Sequence, residues 1–132
     1  MRCLLDTHAF IWALTDPEKL TPRVVTILDD PANEVFLSAI SLWEIAIKLR
    51  SGRLDLQGRS ALDLLAEVQN TSVRLIGLEP EEAATHGDLM EPTHFDPFDR
   101  ILIWQAIRRK LTLISGDRAF RKFTADGLKL LW

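Results

Sequence analysis

The sequence predicts an α/β fold in which a mostly parallel sheet of four to five short strands is covered by helices on both faces. Segments with strand character alternate with segments of helical periodicity, and the strand segments are apolar throughout instead of alternating apolar and polar residues. Continuous apolar strands are typical of parallel sheets that are buried on both sides. With 132 residues, 47% of them hydrophobic, the chain suits one domain over 1–132.

The first half of the chain contains two predicted strands, over 3–5 (CLL) and 34–38 (EVFLS). Helices are predicted over 7–14, 20–30 and 41–50. Asp16-Pro17 stops the first of these helices, and Thr21 with Pro22 starts the second. The third follows the i, i+3, i+4, i+7 pattern of an amphipathic helix, and Gly52 ends it.

The second half is organised around the stretch 93–100 (THFDPFDR) and the apolar run that follows it. Pro97 fits the first position of a helix, and Asp96 fits the N-cap before it. Asp99 then takes the third helical position, at the mouth of a helix over 97–110 that leads directly into a strand over 111–115. The remaining predicted elements are a helix over 60–70, a strand over 73–76, a short helix over 80–86, a helical turn over 118–123 and an edge strand over 128–132.

Four acidic residues fall where these elements meet one edge of the sheet. Asp6 ends the first strand, and Glu44 is predicted in the first turn of the helix after the second strand. Asp117 follows the strand over 111–115 by two residues. Asp99 opens the helix before that strand, and a helix antiparallel to the following strand begins at the same edge. Ligands of open parallel sheets bind outside the carboxyl ends of the strands, so we expect these side chains to share one site.

Carboxylates that share a pocket repel each other. At about 4 Å each pair costs roughly 1 kcal/mol in water and roughly 4 kcal/mol at an effective dielectric constant near 20. Such a cluster persists if a cation sits in it or if some members are protonated. Oxygen ligands without histidine or cysteine suit Mg²⁺ or Mn²⁺. The chemistry that follows from such a site is metal-assisted hydrolysis of a phosphodiester bond.

Each acidic residue also has a purely structural interpretation. Asp6 and Asp117 each fit the N-cap of a following helix. Glu44 fits a capping box with Ser41, and Asp96 is assigned first as a cap, with support of Asp99 as a further role. The case for a site therefore rests on the coincidence of four positions and not on any one of them.

Several other residues accompany the acidic positions. Thr7 and Ser115 flank them and either bond locally to the backbone or contact a metal-bound water or a phosphate. Arg100 and Arg118, beside Asp99 and Asp117, are candidates for contact with phosphate. A group of basic residues follows the helix over 41–50, and its default interpretation is a solvated face; its members are Lys48, Arg50, Arg53 and Arg59. The three histidines follow no metal-binding spacing. The four tryptophans are expected in the core or at a subunit contact, and nothing in the sequence selects one of them for stacking on RNA bases.

Composition limits the location and the partners. The formal net charge is −3, so nucleic-acid binding requires a local basic patch or metal ions. Cys3 is the only cysteine, which excludes an internal disulfide and a zinc–thiolate cluster. Asp6 interrupts the first apolar run, so no signal peptide is expected, and no run is long enough to span a membrane. We expect a cytoplasmic protein.

Four motifs resemble those of the PIN-domain family in order and approximate spacing. They are LLDTH at 4–8, SLWEI at 41–45, HFDPFDR at 94–100 with Gln105-Ala106, and SGD at 115–117. Within that family the chain resembles the VapC-type toxins of bacterial and archaeal toxin–antitoxin modules, over essentially its whole length. The DPFDR block is the most specific motif. Ser115 stands where many relatives carry threonine, a change that keeps the hydroxyl.

The resemblance implies a three-layer α/β/α fold and an endoribonuclease that depends on Mg²⁺ or Mn²⁺. It also implies that the acidic metal site consists of Asp6, Glu44, Asp99 and Asp117. The expected partners are RNA as substrate, a second copy in a homodimer, and a small antitoxin whose tail occupies the active-site groove.

Three other functions compete with this hypothesis. The first is a catalytically silent module on the same fold, whose acidic pocket binds a metal or a basic partner tail. A haloacid-dehalogenase-like phosphatase needs a second acid two residues after Asp6, where His8 stands. A receiver domain needs an aspartate at the end of a mid-chain strand, and the strand over 73–76 is followed by none.

Overall fold

Five parallel strands form the centre of the molecule. The computed structural model describes all residues, 1–132, and the strands are β1 (Arg2–Leu5), β2 (Glu34–Ser38), β3 (Arg74–Ile76), β4 (Thr112–Ile114) and β5 (Lys129–Leu131). Their order in the sheet is β3-β2-β1-β4-β5, and every neighbouring pair is parallel. The predicted α/β fold is confirmed, and the sheet is parallel throughout rather than mostly parallel.

Six α-helices connect the strands: α1 (Thr7–Thr15), α2 (Pro22–Asp29), α3 (Ala39–Arg50), α4 (Ala61–Gln69), α5 (Pro80–Thr85) and α6 (Pro97–Arg108). Short 3₁₀ segments lie at Pro17–Lys19, His86–Asp88 and Arg118–Asp126. The predicted caps are confirmed at Thr21 and Asp96, whose side-chain oxygens accept the N–H groups of Val24 and Asp99. A capping box forms at the start of α4.

The start of α3 differs from the prediction. Ser38, the last residue of β2, is the N-cap, and its hydroxyl accepts the N–H of Ile40 at 3.1 Å. Ser41 therefore lies inside the helix, and Glu44 lies in its second turn rather than its first. The predicted capping box between Ser41 and Glu44 is wrong, because two serines three residues apart both fit a cap and the chain uses the earlier one.

The core is divided by the sheet into two apolar clusters. Cys3 and Leu5 of β1 belong to one cluster, and Leu4 between them belongs to the other. The first cluster packs the sheet against α1, α2 and α4, and the second packs it against α6 and the 3₁₀ segment at Arg118–Asp126. This is the three-layer α/β/α architecture.

The strand order fixes where a ligand crevice lies. From β1 the chain moves outward through β2 to β3, and it then crosses to β4 and β5 on the other side. The direction reverses between β1 and β4, and crevices in such sheets open at the carboxyl ends of these two strands. Asp6 follows β1 and Asp117 follows β4, so both lie at this point. No helix is long and apolar enough to cross a membrane.

Candidate active site at the carboxyl edge of the sheet

Asp6 is fixed at the junction of β1 and β4 and is almost fully buried. Its backbone N–H donates to the carbonyl oxygen of Ile114 at 3.0 Å, and its Oδ1 accepts the N–H of Ala9 at 2.7 Å as the N-cap of α1. Burial raises the pKa of Asp6, hydrogen bonds from Ser115 and Ala9 lower it, and the charge of Asp117 raises it further. Asp6 is therefore an N-cap, as its structural interpretation predicts, and the cap uses one of its two carboxylate oxygens.

Asp117 is presented by a tight turn after β4. Its Oδ1 caps the following 3₁₀ segment by accepting the N–H of Ala119 at 2.9 Å, and its own N–H donates to the Ser115 hydroxyl at 3.1 Å. Gly116 has no room for a side chain, because a Cβ there would lie 2.8 Å from the ring of Trp132. The Ser-Gly-Asp turn thus brings the exposed Asp117 into the electrostatic field of Asp6.

Glu44 is buried and engaged through both oxygens. Its Oε1 accepts the hydroxyl of Thr7 at 2.6 Å, and its Oε2 contacts the ammonium of Lys48, one helical turn further on. The Thr7 hydroxyl also lies 3.0 Å from that of Ser41. Because Thr7 directly follows Asp6, this hydrogen bond ties the Glu44 side chain to the end of β1.

Asp99 is half-buried at the mouth of α6. Its Oδ2 lies 2.8 Å from Nε2 of His94, and its backbone N–H donates to Asp96. Burial raises the pKa of Asp99 to about 6; the His94 hydrogen bond and charge oppose the shift, and the charges of Asp96 and Glu44 add to it. Asp96 is therefore both the cap of α6 and a charge that acts on Asp99.

The two arginines beside the acids differ in role. Arg100 donates to the carbonyl oxygens of Glu91 and His94, each at 2.9 Å, and of Leu89 at 3.2 Å. It holds the loop before α6, and this argues against the phosphate contact expected of it. Arg118 is exposed next to Asp117 and lines a cavity of about 240 Å³ at the end of β4.

The four acidic residues lie at one edge of the sheet, coupled in two pairs. The charge of Asp117 acts on Asp6, and that of Glu44 acts on Asp99. No group of three or more His, Cys, Asp or Glu side chains is arranged to hold one metal ion. Glu44 faces Lys48 and Thr7 instead, and Asp99 faces His94. The donor set nevertheless fits a hard divalent cation, since its oxygens repel and a cation between them would relieve that repulsion.

Sequence reasoning missed two residues of this region. His94 is not predicted to belong to the site, because the histidines follow no metal-binding spacing, yet it contacts Asp99 and packs its ring edge-on against Phe120 and Phe123. Lys48 was grouped with a solvated basic face, yet it pairs with Glu44. The signal for Lys48 was available, because Glu44 and Lys48 are spaced i, i+4 on one helix.

Comparison with known proteins gives a consistent picture. A model of the PIN domain matches residues 3–125. The chain is 31% identical over 120 residues to Ribonuclease VapC22 of Mycobacterium tuberculosis, across 89% of this chain and 88% of that protein.

The fold is also similar to solved structures. A crystal structure of VapBC2 from Rickettsia felis bound to a DNA fragment from their promoter superposes with a TM-score of 0.74 at 16% identity, covering 99% of this chain and 98% of that chain. FitAcB from Neisseria gonorrhoeae superposes with a TM-score of 0.61 at 25% identity, covering 100% and 97%. At such identities the likeness to the Rickettsia structure concerns the fold.

Proposed function

This chain belongs to the PIN-domain family, and on that premise we propose that it is a metal-dependent endoribonuclease and the toxin component of a toxin–antitoxin module. Its relative of 31% identity is named a ribonuclease, and structures of its fold include VapBC complexes. Nucleases of this family generally depend on divalent metal ions. The proposed substrate is RNA, the proposed partners are a small antitoxin protein and a second copy of the chain, and the proposed location is the cytoplasm.

The proposed metal ligands are Asp6, Glu44, Asp99 and Asp117. When bound, Mg²⁺ or Mn²⁺ would polarise the scissile phosphate and lower the pKa of a water. The chain's own contribution is to hold oxygens at the crevice between β1 and β4. Thr7 fixes the position of Glu44, and Asp96 and His94 fix that of Asp99.

One observation supports this proposal: two pairs of carboxylates distant in sequence, Asp6 with Asp117 and Glu44 with Asp99, lie at the carboxyl edge of the sheet. Burial raises the pKa values of Asp6 and Asp99 there, and the charge of the paired acid raises each of them further. A purely structural set of helix caps would not require this, because caps gain nothing from mutual repulsion. Asp99 in particular serves as no cap, since the cap of α6 is Asp96.

The test is cleavage of total RNA by the purified chain in Mg²⁺ or Mn²⁺, with and without chelator, by the wild type and by Asp99→Asn. We expect metal-dependent cleavage that Asp99→Asn abolishes while its melting temperature is not lowered. Asp88→Asn, an exposed acid in the 3₁₀ segment at His86–Asp88, is the matched control and should keep full activity. Cleavage in chelator, or an active Asp99→Asn, would refute the proposal. Metal binding without cleavage would instead indicate the silent binding module.

A further inference from the structure

A second cavity adjoins the acidic site. It has a volume of about 290 Å³ and is lined by Thr7, His8, Ile11, Ile45, Lys48, Arg53 and Leu54. Three of these side chains are basic or imidazole groups, three are aliphatic, and none is a carboxylate. The charged side chains that line this cavity are therefore basic, whereas those of the site beside it are acidic.

The two sites share a wall. Thr7 and Lys48 line the cavity, and the same two side chains contact the carboxylate of Glu44. Whatever lies in the cavity is therefore one side chain away from the carboxylate cluster. Arg53, on the other hand, contacts none of the four acids.

The end of α3 places Arg53 and Lys48 side by side. The Arg53 N–H donates to the carbonyl oxygen of Lys48 at 3.0 Å and the Gly52 N–H to that of Leu49 at 3.3 Å, which is the Schellman pattern, with Gly52 at φ +76°. This motif normally joins an apolar pair at these two positions. Here the two positions carry the cations Lys48 and Arg53, and the charge of Lys48 is already paired with Glu44.

Only one of these cations has a carboxylate partner. Lys48 pairs with Glu44, whereas Arg53 forms no ion pair and uses only its Nε, which donates to the Ser51 hydroxyl at 3.0 Å. The terminal nitrogens of Arg53 make no hydrogen bond. A free guanidinium on a cavity wall is a ready donor for a phosphate, because it offers two parallel N–H groups.

We propose that this cavity binds a phosphodiester group of the RNA strand next to the one held at the acidic site, with Arg53 as the positioning residue. The inference rests on the proposed function. A strand with one phosphate at the carboxylates must place a neighbouring phosphate nearby, and the aliphatic side of the cavity suits the ribose and base. An acidic peptide is the competing occupant, and the experiment distinguishes it from RNA.

The experiment measures binding without cleavage. Short fluorescein-labelled RNA of mixed sequence is titrated with the Asp99→Asn chain in Mg²⁺ over a range of KCl concentrations, and Arg53→Ala is compared with Arg50→Ala. Both arginines are exposed and both substitutions remove one positive charge from the end of α3, but Arg50 does not line the cavity. We expect Arg53→Ala to weaken binding roughly tenfold and to reduce the slope of log K against log salt by about 0.7. Arg50→Ala should leave both near their starting values, and Arg53→Lys should restore part of the affinity.

Two results would overturn the inference: an unchanged RNA affinity in Arg53→Ala, or an equal loss in Arg50→Ala. If Arg53→Ala keeps its RNA affinity but loses a polyglutamate peptide that its parent binds, the occupant is an acidic peptide instead. The proposed function fails separately, if the wild-type chain does not cleave total RNA. A specific loss of RNA affinity in Arg53→Ala would then still establish the cavity as an RNA site.

Discussion

His94 and Asp99 show what a linear sequence does not reveal about single residues. The positions of Asp6, Asp99 and Asp117 followed from where strands and helices end, so their placement at the carboxyl edge of the sheet could be predicted. The contact between His94 and Asp99 depends on the loop before α6, which Arg100 holds through three carbonyl oxygens and Glu91 through the N–H of His94. No spacing in the sequence encodes such a loop.

The raised pKa of Asp99 predicts how stability depends on pH. Between its ordinary pKa of 3.8 and about 6, the folded chain holds a proton that the unfolded chain has lost. The free energy of unfolding therefore falls as pH rises through this window and stays lowered above it. In the presence of a chelator, Asp99→Asn should have about the same melting temperature as the wild type at the low end of this pH window. At neutral pH its melting temperature should be higher than that of the wild type. Thermal melts across that range measure this, and a difference that does not vary with pH would contradict it.

Elements whose ends are encoded by adjacent residues were predictable, as Thr21 and Asp96 show. The start of α3 was not, because Ser38 and Ser41 both fit a cap and only the length of β2 selects the first. That choice places Glu44 in the second turn of the helix, where it accepts the Thr7 hydroxyl instead of the Ser41 N–H. A shift of a few residues in the start of α3 thus replaced the predicted capping partner of Glu44.

The end of α6 offers a test of these local energetics. Lys110 occupies the left-handed region at φ +56°, with the N–H of Leu111 bonded to the carbonyl oxygen of Ala106 at 2.8 Å. Most helices that end in this way carry glycine there. Lys110→Gly should therefore raise the free energy of unfolding by about 1 kcal/mol. Urea denaturation measures it, and Lys110→Ala, which keeps the Cβ, is the control. A gain of equal size in Lys110→Ala would trace the effect to charge instead.

At the scale of the whole molecule, the parallel direction of the strands followed from the alternation of strands and helices, whereas the order of the strands and the surfaces did not. Trp104 is buried, and Trp12 packs against Trp132 with ring centroids 5.8 Å apart. Trp43 is 59% exposed, edge-on to Phe98 at 5.1 Å. The four tryptophans were expected in the core or at a subunit contact. Trp43 is the one with a mostly exposed side chain, so it is the candidate for the subunit contact.

The family resemblance implies a homodimer, and we predict that Trp43 lies in its interface. Light scattering should give twice the 15.0 kDa mass of one chain, and Trp43→Ala should shift the mass toward one chain because it removes the largest exposed apolar ring on α3. Leu62→Ala, on the exposed face of α4, is the matched control and should remain dimeric. A wild-type monomer, or a Trp43→Ala chain that dimerises unchanged, would count against it.

The central claim, that the four acids form a divalent-metal site, is tested most directly by the effect of Mg²⁺ on unfolding. At a hundredfold excess over its dissociation constant, Mg²⁺ should stabilise the wild type by about 2.7 kcal/mol. Asp6→Asn preserves the cap of α1, since asparagine caps as well as aspartate, yet it should lose much of this gain, whereas Asp88→Asn should keep all of it. If Asp6→Asn responds to Mg²⁺ as the wild type does, Asp6 serves only as a cap and the shared metal site is wrong.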